Sequence, residues 1–494
     1  MIGEKDKLST LFEKNISKEE RSKLGQHFTH KELVRLIMDK ITLNKDNLIL
    51  DPTCGAGAFL IECLNDNNVN NIYGVDIDSK ALELCRLNLE KKHKINDENL
   101  IRADFINDSV FQDKKFDIII GNPPFKNLKS NEYNTKEKIY NEAIKGIANS
   151  ATLVLRKSFE LLKDGGFLGF VLPKNFLRVN SFEKIRTFLL KNSKILYLID
   201  VDHHFKDVRC DQILIIVQKI SSQEELNHHV VKIIPYEKGE TLKDQKGYMI
   251  PQRDFLSYDF FPLFYSQDVK NISDKLLGIS ETLSSYGEIF RGISLSSSHP
   301  AVNLENKNFY IKGYRGDSIK RFGVKYYLFI DEKILPKNEK NKIKRLKRDK
   351  IVLQNLFSKE GGIYACISKN DEISLDTVTN IILKENIDPF FILGILGSKL
   401  SNFFMISVIY LNSNFTMHAD KSYIGKIPII YKKDKRISEI TKELIKISDK
   451  FSNEFKNKYD ELNHEVFKLY NLNSKEINVI NKTLIKFMSK KHNG

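Results

Sequence analysis

The chain has 494 residues, of which 41% are hydrophobic and 29% charged, a composition typical of a globular protein with a sizeable core. No stretch approaches the roughly 18 uncharged apolar residues of a membrane span, and the charged first 30 residues contain no apolar signal core. We therefore expect a cytosolic protein without a membrane partner. The formal net charge of +15 favours a polyanionic partner, although Lys-rich, Asn-rich and Ile-rich usage also indicates an AT-biased genome.

The cysteines are scattered, without a CxxC pair or a nearby histidine, at Cys54, Cys63, Cys85, Cys210 and Cys366. This spacing argues against a zinc site and against a disulfide framework. We predict no metal site and expect the cysteines to be buried as small hydrophobic residues.

The first predicted element is a helix that begins near Thr29 and runs to about Lys40. Thr29 and Glu32 have the spacing of a capping box. The free N–H groups at such a helix start suit an anion such as a carboxylate. An ordinary capped helix is the alternative interpretation.

A predicted strand at 47–50 leads into a segment that we name the glycine loop, Asp51-Pro52-Thr53-Cys54-Gly55-Ala56-Gly57. A strand, a glycine turn and a helix start allow a backbone to approach a nucleotide closely. The loop matches neither the GxGxxG dinucleotide fingerprint nor the GxxxxGK[ST] phosphate loop, since no lysine follows it. The pattern therefore predicts a ligand without a phosphate.

Two further predicted strands lead to acids. The segment at 72–78 is a predicted strand that carries Asp76 near its end, placed to hydrogen-bond the two hydroxyls of a ribose. The predicted strand region at 100–105 ends in Asp104 and Phe105, which suit an amino group and a ring face. Each acid alone is more often a surface or capping residue. Three such acids, one βα unit apart, favour a ligand site instead: Asp51, Asp76 and Asp104.

The most distinctive segment is Gly121-Asn122-Pro123-Pro124-Phe125, which we name the proline turn and which closes the apolar run at 116–120. A buried parallel strand would place this turn at the carboxyl edge of a sheet, where open α/β folds hold their ligands. The Asn122 amide and the proline-directed carbonyls can accept both hydrogens of one exocyclic amino group, which frees its lone pair for attack. Phe125 can stack on the ring. An ordinary Asn-Pro turn is the alternative.

Taken in this order, the motifs resemble the S-adenosylmethionine-dependent adenine-N6 DNA methyltransferases, in particular the γ-class, TaqI-like group. The resemblance covers about the first 220 residues well and is diffuse in the rest. It implies an α/β fold, with a Rossmann-like class I methyltransferase domain and a C-terminal mixed α+β target-recognition domain. It also implies S-adenosyl-L-methionine as the cofactor, double-stranded DNA as the partner, and a flipped adenine as the substrate.

The resemblance assigns roles to individual residues. The catalytic residues would be Asn122, Pro123, Pro124 and Phe125, and Phe205 would stack on the extruded base. The cofactor residues would be Gln26, Phe28 and Thr29 at the methionine end, Asp51, Thr53, Gly55 and Gly57 in the loop beneath it, Asp76 at the ribose, and Asp104 with Phe105 at the adenine; Ile77 would also contact the cofactor. Two small residues depart from the family pattern, Thr53 where alanine is usual and Ala56 where serine is usual. We expect cofactor binding to survive both.

Beyond the proline turn we expect a polar loop at 131–135, a long helix from about Tyr140 to Leu162, a strand at 167–172 and a helix from Ser181 to Lys191. Strands at 195–200 and 212–217 resemble the terminal hairpin of the methyltransferase sheet. Phe205 lies in the loop between them.

The pattern changes near residue 225 to longer, irregular segments with interleaved charge and aromatic residues. We predict a methyltransferase domain at 1–225, a target-recognition domain at 226–432 and a helical segment at 433–494 packed on the recognition domain. The stretch Lys337 to Lys350 holds eight Lys or Arg residues against two acids. It suits phosphate contacts, and a solvated surface segment is an equally good interpretation.

The predicted function is site-specific DNA methylation at adenine N6, by the modification enzyme of a bacterial or archaeal restriction–modification system or by an orphan enzyme. Because only about twenty residues precede the capped helix, we expect any cognate restriction endonuclease to be encoded separately. The alternatives are methylation of an RNA base or of a protein glutamine, and an inactive methyltransferase-fold DNA-binding subunit. Cytosine carbon-5 methylation is disfavoured, since no Pro-Cys dipeptide occurs.

Overall fold

The structure, a computed structural model, describes residues 31–64, 69–90, 96–201, 211–220, 222–235, 247–258, 260–264, 266–296, 298–305, 310–357, 361–411, 417–432 and 435–489. The chain divides into two compact units, Met1–Leu263 and Phe264–Gly494. The functional domains expected at 1–225, 226–432 and 433–494 stay predictions.

The first unit alternates strands and helices. Its α-helices are α1 (Lys31–Met38), α2 (Ala58–Cys63), α3 (Ser79–Glu90), α4 (Ser150–Leu161) and α5 (Glu183–Asn192). Its strands are β1 (Ile49–Asp51), β2 (Ile72–Asp76), β3 (Leu100–Arg102), β4 (Phe116–Gly121), β5 (Asn127–Leu128), β6 (Ala148–Asn149), β7 (Leu162–Pro173), β8 (Ser193–Asp200), β9 (Gln212–Lys219), β10 (Val230–Ile234) and β11 (Tyr248–Pro251).

Nine of these strands form one sheet in the order β11-β10-β8-β9-β7-β4-β1-β2-β3. The strands β1, β2, β3, β4 and β7 run parallel, whereas β9 is antiparallel to β7 and to β8. The β8–β9 pair is the hairpin that the sequence predicted, and β10 and β11 continue the sheet beyond it. Because parallel strands share a carboxyl edge, the glycine loop, Asp76 and the proline turn all lie at the same edge of the sheet.

The core of the first unit follows from side-chain periodicity. The helix α1 buries Leu33, Val34, Leu36 and Ile37, the apolar face of an amphipathic helix. These side chains pack in one buried cluster with residues of β1, β4 and β7, including Ile49 and Ile118. Helices therefore pack on a sheet whose central strands are largely buried and apolar, as is usual for parallel sheets.

The helix expected from about Tyr140 to Leu162 is shorter than predicted. A 3₁₀ turn occupies Lys138–Glu142, Gly146 has a left-handed φ of 81°, and α4 begins at Ser150. The prediction was wrong because Gly146 interrupts the helical path and because β6 pairs with β5 just before the helix. The Asn149 side chain then caps α4 by accepting a hydrogen bond from the main chain.

The second unit mixes short strands with helices. Its strands are β12 (Glu281–Thr282), β13 (Gly287–Arg291), β14 (Val302–Asn303), β15 (Ile311–Tyr314), β16 (Ile319–Lys320), β17 (Gly323–Val324), β18 (Leu328–Ile330), β19 (Lys350–Gln354), β20 (Ala365–Ser368), β21 (Ile373–Ser374), β22 (Val378–Leu383) and β23 (Pro428–Ile429). Its α-helices are α6 (Gln267–Gly278), α7 (Lys337–Leu346), α8 (Pro389–Gly397), α9 (Lys399–Phe404), α10 (Lys421–Ile424), α11 (Lys435–Lys446), α12 (Asn453–Leu469) and α13 (Ser474–Ser489).

Two four-stranded sheets organise this unit, β13-β22-β19-β20 and β14-β18-β15-β21. Within the ranges given above, no single helix is both long and apolar enough to cross a membrane. One pair bent by 54°, α8 with the helical stretch Lys399–Ile409, reaches that length and composition only when its halves are taken together.

Candidate active site

The glycine loop turns tightly between β1 and α2. Gly55 and Gly57 have φ angles of 52° and 86°, in the left-handed region that favours glycine. The Cys54 amide donates to the Val75 carbonyl at 2.9 Å, and the Gly57 amide donates to the Cys54 carbonyl at 2.8 Å. A Cβ on Gly57 would lie 2.6 Å from the Cys85 sulfur, whereas a Cβ on Gly55 would meet no atom within 4 Å. The loop is therefore packed against α3 at Gly57 and open at Gly55.

The Thr53 hydroxyl lies in the same loop. Its oxygen is buried, and no residue in the described part of the chain hydrogen-bonds it. A buried polar group without a partner costs about 1–3 kcal/mol, so such groups are usually satisfied when a site is filled. Together with the open space at Gly55, this hydroxyl fits a polar ligand that approaches the loop closely.

Asp76 ends β2 and holds the glycine loop in place. Its Oδ2 accepts a hydrogen bond from the Gly55 amide at 2.8 Å, and its Oδ1 accepts one from the Asp78 amide at 2.9 Å. Burial raises the pKa of Asp76 above its ordinary value, and these hydrogen bonds offset part of that rise. The next residue, Ile77, is 56% exposed. A carboxylate beside an exposed aliphatic side chain is suited to ribose hydroxyls and to the face of a purine.

Asp51 connects the two motifs of the sheet edge. The residue is 1% exposed, and its Oδ1 accepts a hydrogen bond from the Thr53 amide at 3.1 Å. A Cβ on Gly121 would lie 2.7 Å from that same oxygen, so glycine at this position lets the ends of β1 and β4 approach. Burial raises the pKa of Asp51 to about 8, and the nearby Asp76 adds to the rise. At neutral pH this carboxyl is therefore mostly uncharged unless a cation lies beside it.

Asp104 has different surroundings from Asp76, although both follow strands. Its Oδ1 accepts hydrogen bonds from the Ile106 and Asn107 amides at 3.0 and 3.3 Å, and its Oδ2 accepts one from Asn107 Nδ2 at 2.8 Å. Phe105 is 4% exposed, and the Lys157 ammonium lies 5.5 Å from its ring centroid. Asp104 closes its own turn and Phe105 is enclosed, so their cofactor roles stay predictions.

The polar loop expected at 131–135 is joined to that turn. Asn107 Nδ2 donates to the Glu132 carbonyl at 3.2 Å, and the Asn134 amide donates to Asn107 Oδ1 at 3.0 Å. Lys126, just after the proline turn, forms an ion pair with Glu132 at 2.7 Å. The segment after the proline turn is thereby linked to the segment after β3.

The proline turn follows β4, directly beside the glycine loop. Asn122, Pro124 and Phe125 are half-buried, and Pro123 is buried. The Pro124 carbonyl accepts a hydrogen bond from the Ser150 hydroxyl. No donor to the Pro123 carbonyl occurs among the residues that the structure describes. The two proline carbonyls are therefore not equivalent, since one is engaged in the fold.

Ser150, the first residue of α4, holds the exit of the proline turn and was missed by sequence reasoning. Besides donating to Pro124, its hydroxyl accepts a hydrogen bond from the Lys126 amide at 2.9 Å, and its own amide donates to the Lys126 carbonyl at 2.9 Å. Ser150 is 3% exposed. The helix was expected to begin near Tyr140, which hid the signal. That signal was Asn149, a residue type favoured at helix N-caps.

A buried ion pair also lies at this edge of the sheet. Lys174 follows β7 and Asp200 ends β8, and their Nζ and Oδ2 atoms are 2.7 Å apart with side-chain exposures of 5% and 0%. The Lys174 amide donates to the Asp211 carbonyl at 2.8 Å. The pair joins the ends of three neighbouring strands, and losing one partner of such a pair costs about 3–5 kcal/mol. We assign it to the stability of the edge.

Asp51 accepts a hydrogen bond from Thr53 and lies against Gly121, and Asp76 accepts one from Gly55 of the same loop. These five residues lie together at the sheet edge. Gly57 anchors the loop from the side of α3. Four predicted site residues lie outside the described residues, namely Gln26, Phe28, Thr29 and Phe205.

Comparison with known sequences decides the family. The profile of the N-6 DNA Methylase family matches residues 3–254, slightly more than half of the chain. The chain belongs to the N-6 DNA methylase family. A second profile, the TaqI-like C-terminal specificity domain, matches residues 311–429. The predicted TaqI-like identity, the fold class and the enzyme class of a DNA adenine-N6 methyltransferase are thereby confirmed, and the family implies dependence on S-adenosylmethionine.

Relatives of this methylase include a Type II methyltransferase and a modification methylase. The chain is 28% identical over 323 residues to the Type II methyltransferase M.VspI of Vibrio sp. (strain 343), a match that covers 64% of this chain and 76% of that protein. It is 30% identical over 205 residues to the modification methylase CviBIII of Paramecium bursaria Chlorella virus NC1A, covering 40% of this chain and 51% of that protein. The chain thus spans about half the length of the second relative.

Solved structures with the same fold include larger enzymes. The Type IIL restriction–modification enzyme MmeI in complex with DNA is similar to 97% of this methylase, with a TM-score of 0.62 at 14% identity, and the match covers 81% of that chain. The DrdV–DNA complex is similar to 89% of it, with a TM-score of 0.56 at 12% identity, and the match covers 59% of that chain. At these identities the likeness concerns the fold.

Proposed function

We propose that this methylase transfers the methyl group of S-adenosyl-L-methionine to N6 of an adenine flipped out of double-stranded DNA at one specific sequence. One observation carries the proposal: the glycine loop and the proline turn lie at the same sheet edge, close enough that Gly121 admits no Cβ against Asp51. A cofactor on the first motif and an amino group on the second would therefore be neighbours.

The residues of the glycine loop fit this cofactor. The open space at Gly55, the buried Thr53 hydroxyl and the Asp51 carboxyl, which a neighbouring cation would ionise, suit a polar, cationic group that carries no phosphate. We place Asp76 on the ribose hydroxyls and Ile77 against the adenine face, because the carboxylate and the exposed aliphatic chain are adjacent at the end of β2. Gln26, Phe28 and Thr29 at the methionine end, and Asp104 with Phe105 at the adenine, complete the proposed set.

When bound, the cofactor supplies a methyl group on a sulfonium, an electrophile that needs no metal. The chain supplies the acceptors that orient the amine. We assign them to the Asn122 amide oxygen and the Pro123 carbonyl, since the Pro124 carbonyl is engaged by Ser150. As the N6–methyl bond forms, the sulfonium–methyl bond breaks and leaves a neutral thioether. The nitrogen gains positive charge, which the two preset acceptors stabilise until one N6 proton is lost to solvent.

Pro124 and Phe125 have different parts in this proposal. Pro124 fixes the direction of the turn through its locked φ and its bond to Ser150. Phe125, which is half-buried, stacks on the extruded base together with Phe205. Extruding a base from the duplex costs a few kcal/mol, and stacking offsets part of that cost.

Target recognition is proposed for the second unit. The matched specificity-domain profile lies wholly within Phe264–Gly494, and the matched methylase profile lies wholly within Met1–Leu263. This division supports chemistry in the first unit and site recognition in the second. We further propose that a cognate restriction endonuclease, where one exists, is a separate protein.

The test is incubation of the purified protein with genomic DNA that lacks adenine methylation and with S-adenosylmethionine carrying a tritiated methyl group. We expect label in DNA, and sequencing that detects N6-methyladenine should find it at one short motif. Label in ribosomal RNA or in protein, or N6-methyladenine without a common motif, would overturn the proposal.

A further inference from the structure

The helix α7 is fixed to the second unit by one face. Its residues Ile343 and Leu346 are buried in a cluster with Leu328, Ile330 and other apolar residues. Glu339, on the same side, is 3% exposed and accepts a hydrogen bond from the Ser294 amide at 3.0 Å. The opposite face of α7 is therefore held towards solvent.

The seven Lys and Arg residues between 337 and 348 fall into two groups. Three have acidic partners: Lys342 pairs with Glu339 at 3.0 Å, Lys347 with Glu332 at 2.7 Å, and Arg345 with Glu288. In the described part of the chain, the exposed Lys337, Lys340, Lys344 and Arg348 have no acidic partner. The Lys340 ammonium donates to the Lys333 carbonyl at 2.7 Å.

The unneutralised cations on the helix are aligned. Lys337, Lys340 and Lys344 follow the i, i+3, i+7 spacing that puts residues on one side of an α-helix, and we name these three the basic face. At a rise of 1.5 Å per residue, the basic face extends about 10 Å along the helix. Arg348 continues the unneutralised charge just beyond the helix end.

We propose that the basic face binds the phosphate backbone of duplex DNA outside the recognition sequence. Duplex DNA carries about one negative charge per 1.7 Å of axis, so an array of cations one helical turn apart meets phosphates along its whole length. Contacts of this kind give affinity and orientation without sequence information. The paired cations Lys342, Arg345 and Lys347 are already neutralised and contribute little.

The inference rests on the proposed function only in taking DNA as the partner. It adds which surface of the second unit meets the backbone and which lysines of a basic stretch do so. The lysines of the basic face are exposed and remote from the folding core of that unit, so their replacement should leave the fold intact.

The experiment compares two triple variants of the full chain with equal loss of charge. One is Lys337→Gln, Lys340→Gln, Lys344→Gln, and the matched control is Lys342→Gln, Arg345→Gln, Lys347→Gln. Fluorescence anisotropy would measure binding to a random-sequence duplex of about 30 base pairs between about 50 and 200 mM KCl, the range over which phosphate contacts are resolved. Thermal unfolding would be recorded for both.

We expect the slope of log affinity against log salt to fall by about 2.7 for the basic-face variant, since each lost phosphate contact removes about 0.9. Between the two salt concentrations, the wild type should then lose about 40-fold more affinity than this variant. The control should keep nearly the wild-type slope. Equal slopes for the two variants, or a wild-type slope for the basic-face variant, would overturn the inference.

Failure of this inference is distinguishable from failure of the proposed function. A wild-type protein that methylates DNA, together with a basic-face variant that binds and methylates like it, refutes the basic face alone. A wild-type protein that transfers no methyl group to DNA refutes the proposed function, whatever the salt slopes are.

Discussion

The glycine loop and the proline turn lie at the ends of adjacent strands, yet they are built in opposite ways. The glycine loop leaves room: Gly55 has open space beside it and the Thr53 hydroxyl is buried without a partner among the described residues. The proline turn is rigid: two prolines restrict its backbone, and the Ser150 hydroxyl donates a hydrogen bond to the Pro124 carbonyl. A loop that binds must leave groups unsatisfied for its ligand, whereas a turn that reacts must have its acceptors fixed beforehand.

This contrast predicts that substitutions in the two segments affect different kinetic and binding constants. Changes in the proline turn should lower kcat and leave cofactor affinity alone. Changes in the glycine loop and its supports should weaken cofactor binding and leave the rate at saturating cofactor nearly intact.

The largest effect is expected for Asn122→Ala. Loss of one preset acceptor at a site of developing charge should reduce single-turnover methylation about 10²–10³-fold, by analogy with loss of an oxyanion-hole donor. Calorimetry should show unchanged cofactor affinity, and a duplex with 2-aminopurine in place of the target adenine should still report extrusion by fluorescence. Phe125→Ala is the matched variant, with partial activity and weaker extrusion. A near-normal rate for Asn122→Ala would disprove the acceptor role.

The second-largest effect is expected for Asp76→Ala, which removes the carboxylate that supports the glycine loop. The variant loses a charge-assisted hydrogen bond to the ribose, worth about 1.5–3 kcal/mol, so the cofactor Kd should rise about 10–100-fold. The rate at saturating cofactor should change by only a few-fold. Asp76→Asn is the control, because it keeps an acceptor for the Gly55 amide. Equal cofactor affinities of wild type and Asp76→Ala in calorimetry would disprove the proposed contact between Asp76 and the ribose.

A smaller effect is expected for Ser150→Ala. Removing the hydroxyl leaves the Pro124 carbonyl and the Lys126 amide without this partner, a loss of about 1–2 kcal/mol that should appear as a 5–30-fold lower kcat. Ser150→Thr keeps the hydroxyl and should recover most of the rate. Cofactor Kd should be the same in all three proteins. A purely structural role would instead lower the melting temperature of Ser150→Ala without a selective loss of kcat.

The smallest effect concerns pH. Burial raises the pKa of Asp51 to about 8 in the protein without cofactor, and a cationic cofactor over the glycine loop favours the ionised form. Binding therefore releases a proton below that pH, so affinity should increase as pH rises, by at most about tenfold per unit, and level off above about 8. Asp51→Asn should remove this dependence, and the difference between the two profiles cancels the titration of the cofactor itself. If cofactor affinity had the same pH dependence in wild type and in Asp51→Asn, the cationic part of the cofactor would not lie beside Asp51.

Much of the first unit was readable from sequence because its signals are local. Short apolar runs followed by Asp or Gly predicted β1, β2 and β4 with their strand-end residues, and the β8–β9 hairpin was also correct. The start of the helix before β7 was predicted about ten residues too early, because the apolar periodicity continues through Gly146, where the backbone leaves the helical conformation. Such a break depends on a single backbone angle.

The features that sequence could not supply depend on contacts between distant segments. Asp76 and Asp104 look alike as strand-end acids, yet only the folded chain shows that Asp104 is engaged by its own turn. Ser150 meets Pro124 across 26 positions of sequence. The cations of α7 form one run in the sequence, and their division into paired and unpaired sets depends on acids such as Glu288, far away in the chain.

The contact between Gly121 and Asp51 has a consequence for laboratory evolution of this methylase. A Cβ at position 121 would lie 2.7 Å from the Asp51 carboxyl, so the side chain tolerated at one position depends on the side chain at the other. A library that randomises 121 alone will return glycine. Second-site substitutions that rescue Gly121→Ala should instead occur at position 51 and introduce a side chain shorter than Asp. The cofactor loop and the proline turn are therefore expected to change together at these two positions.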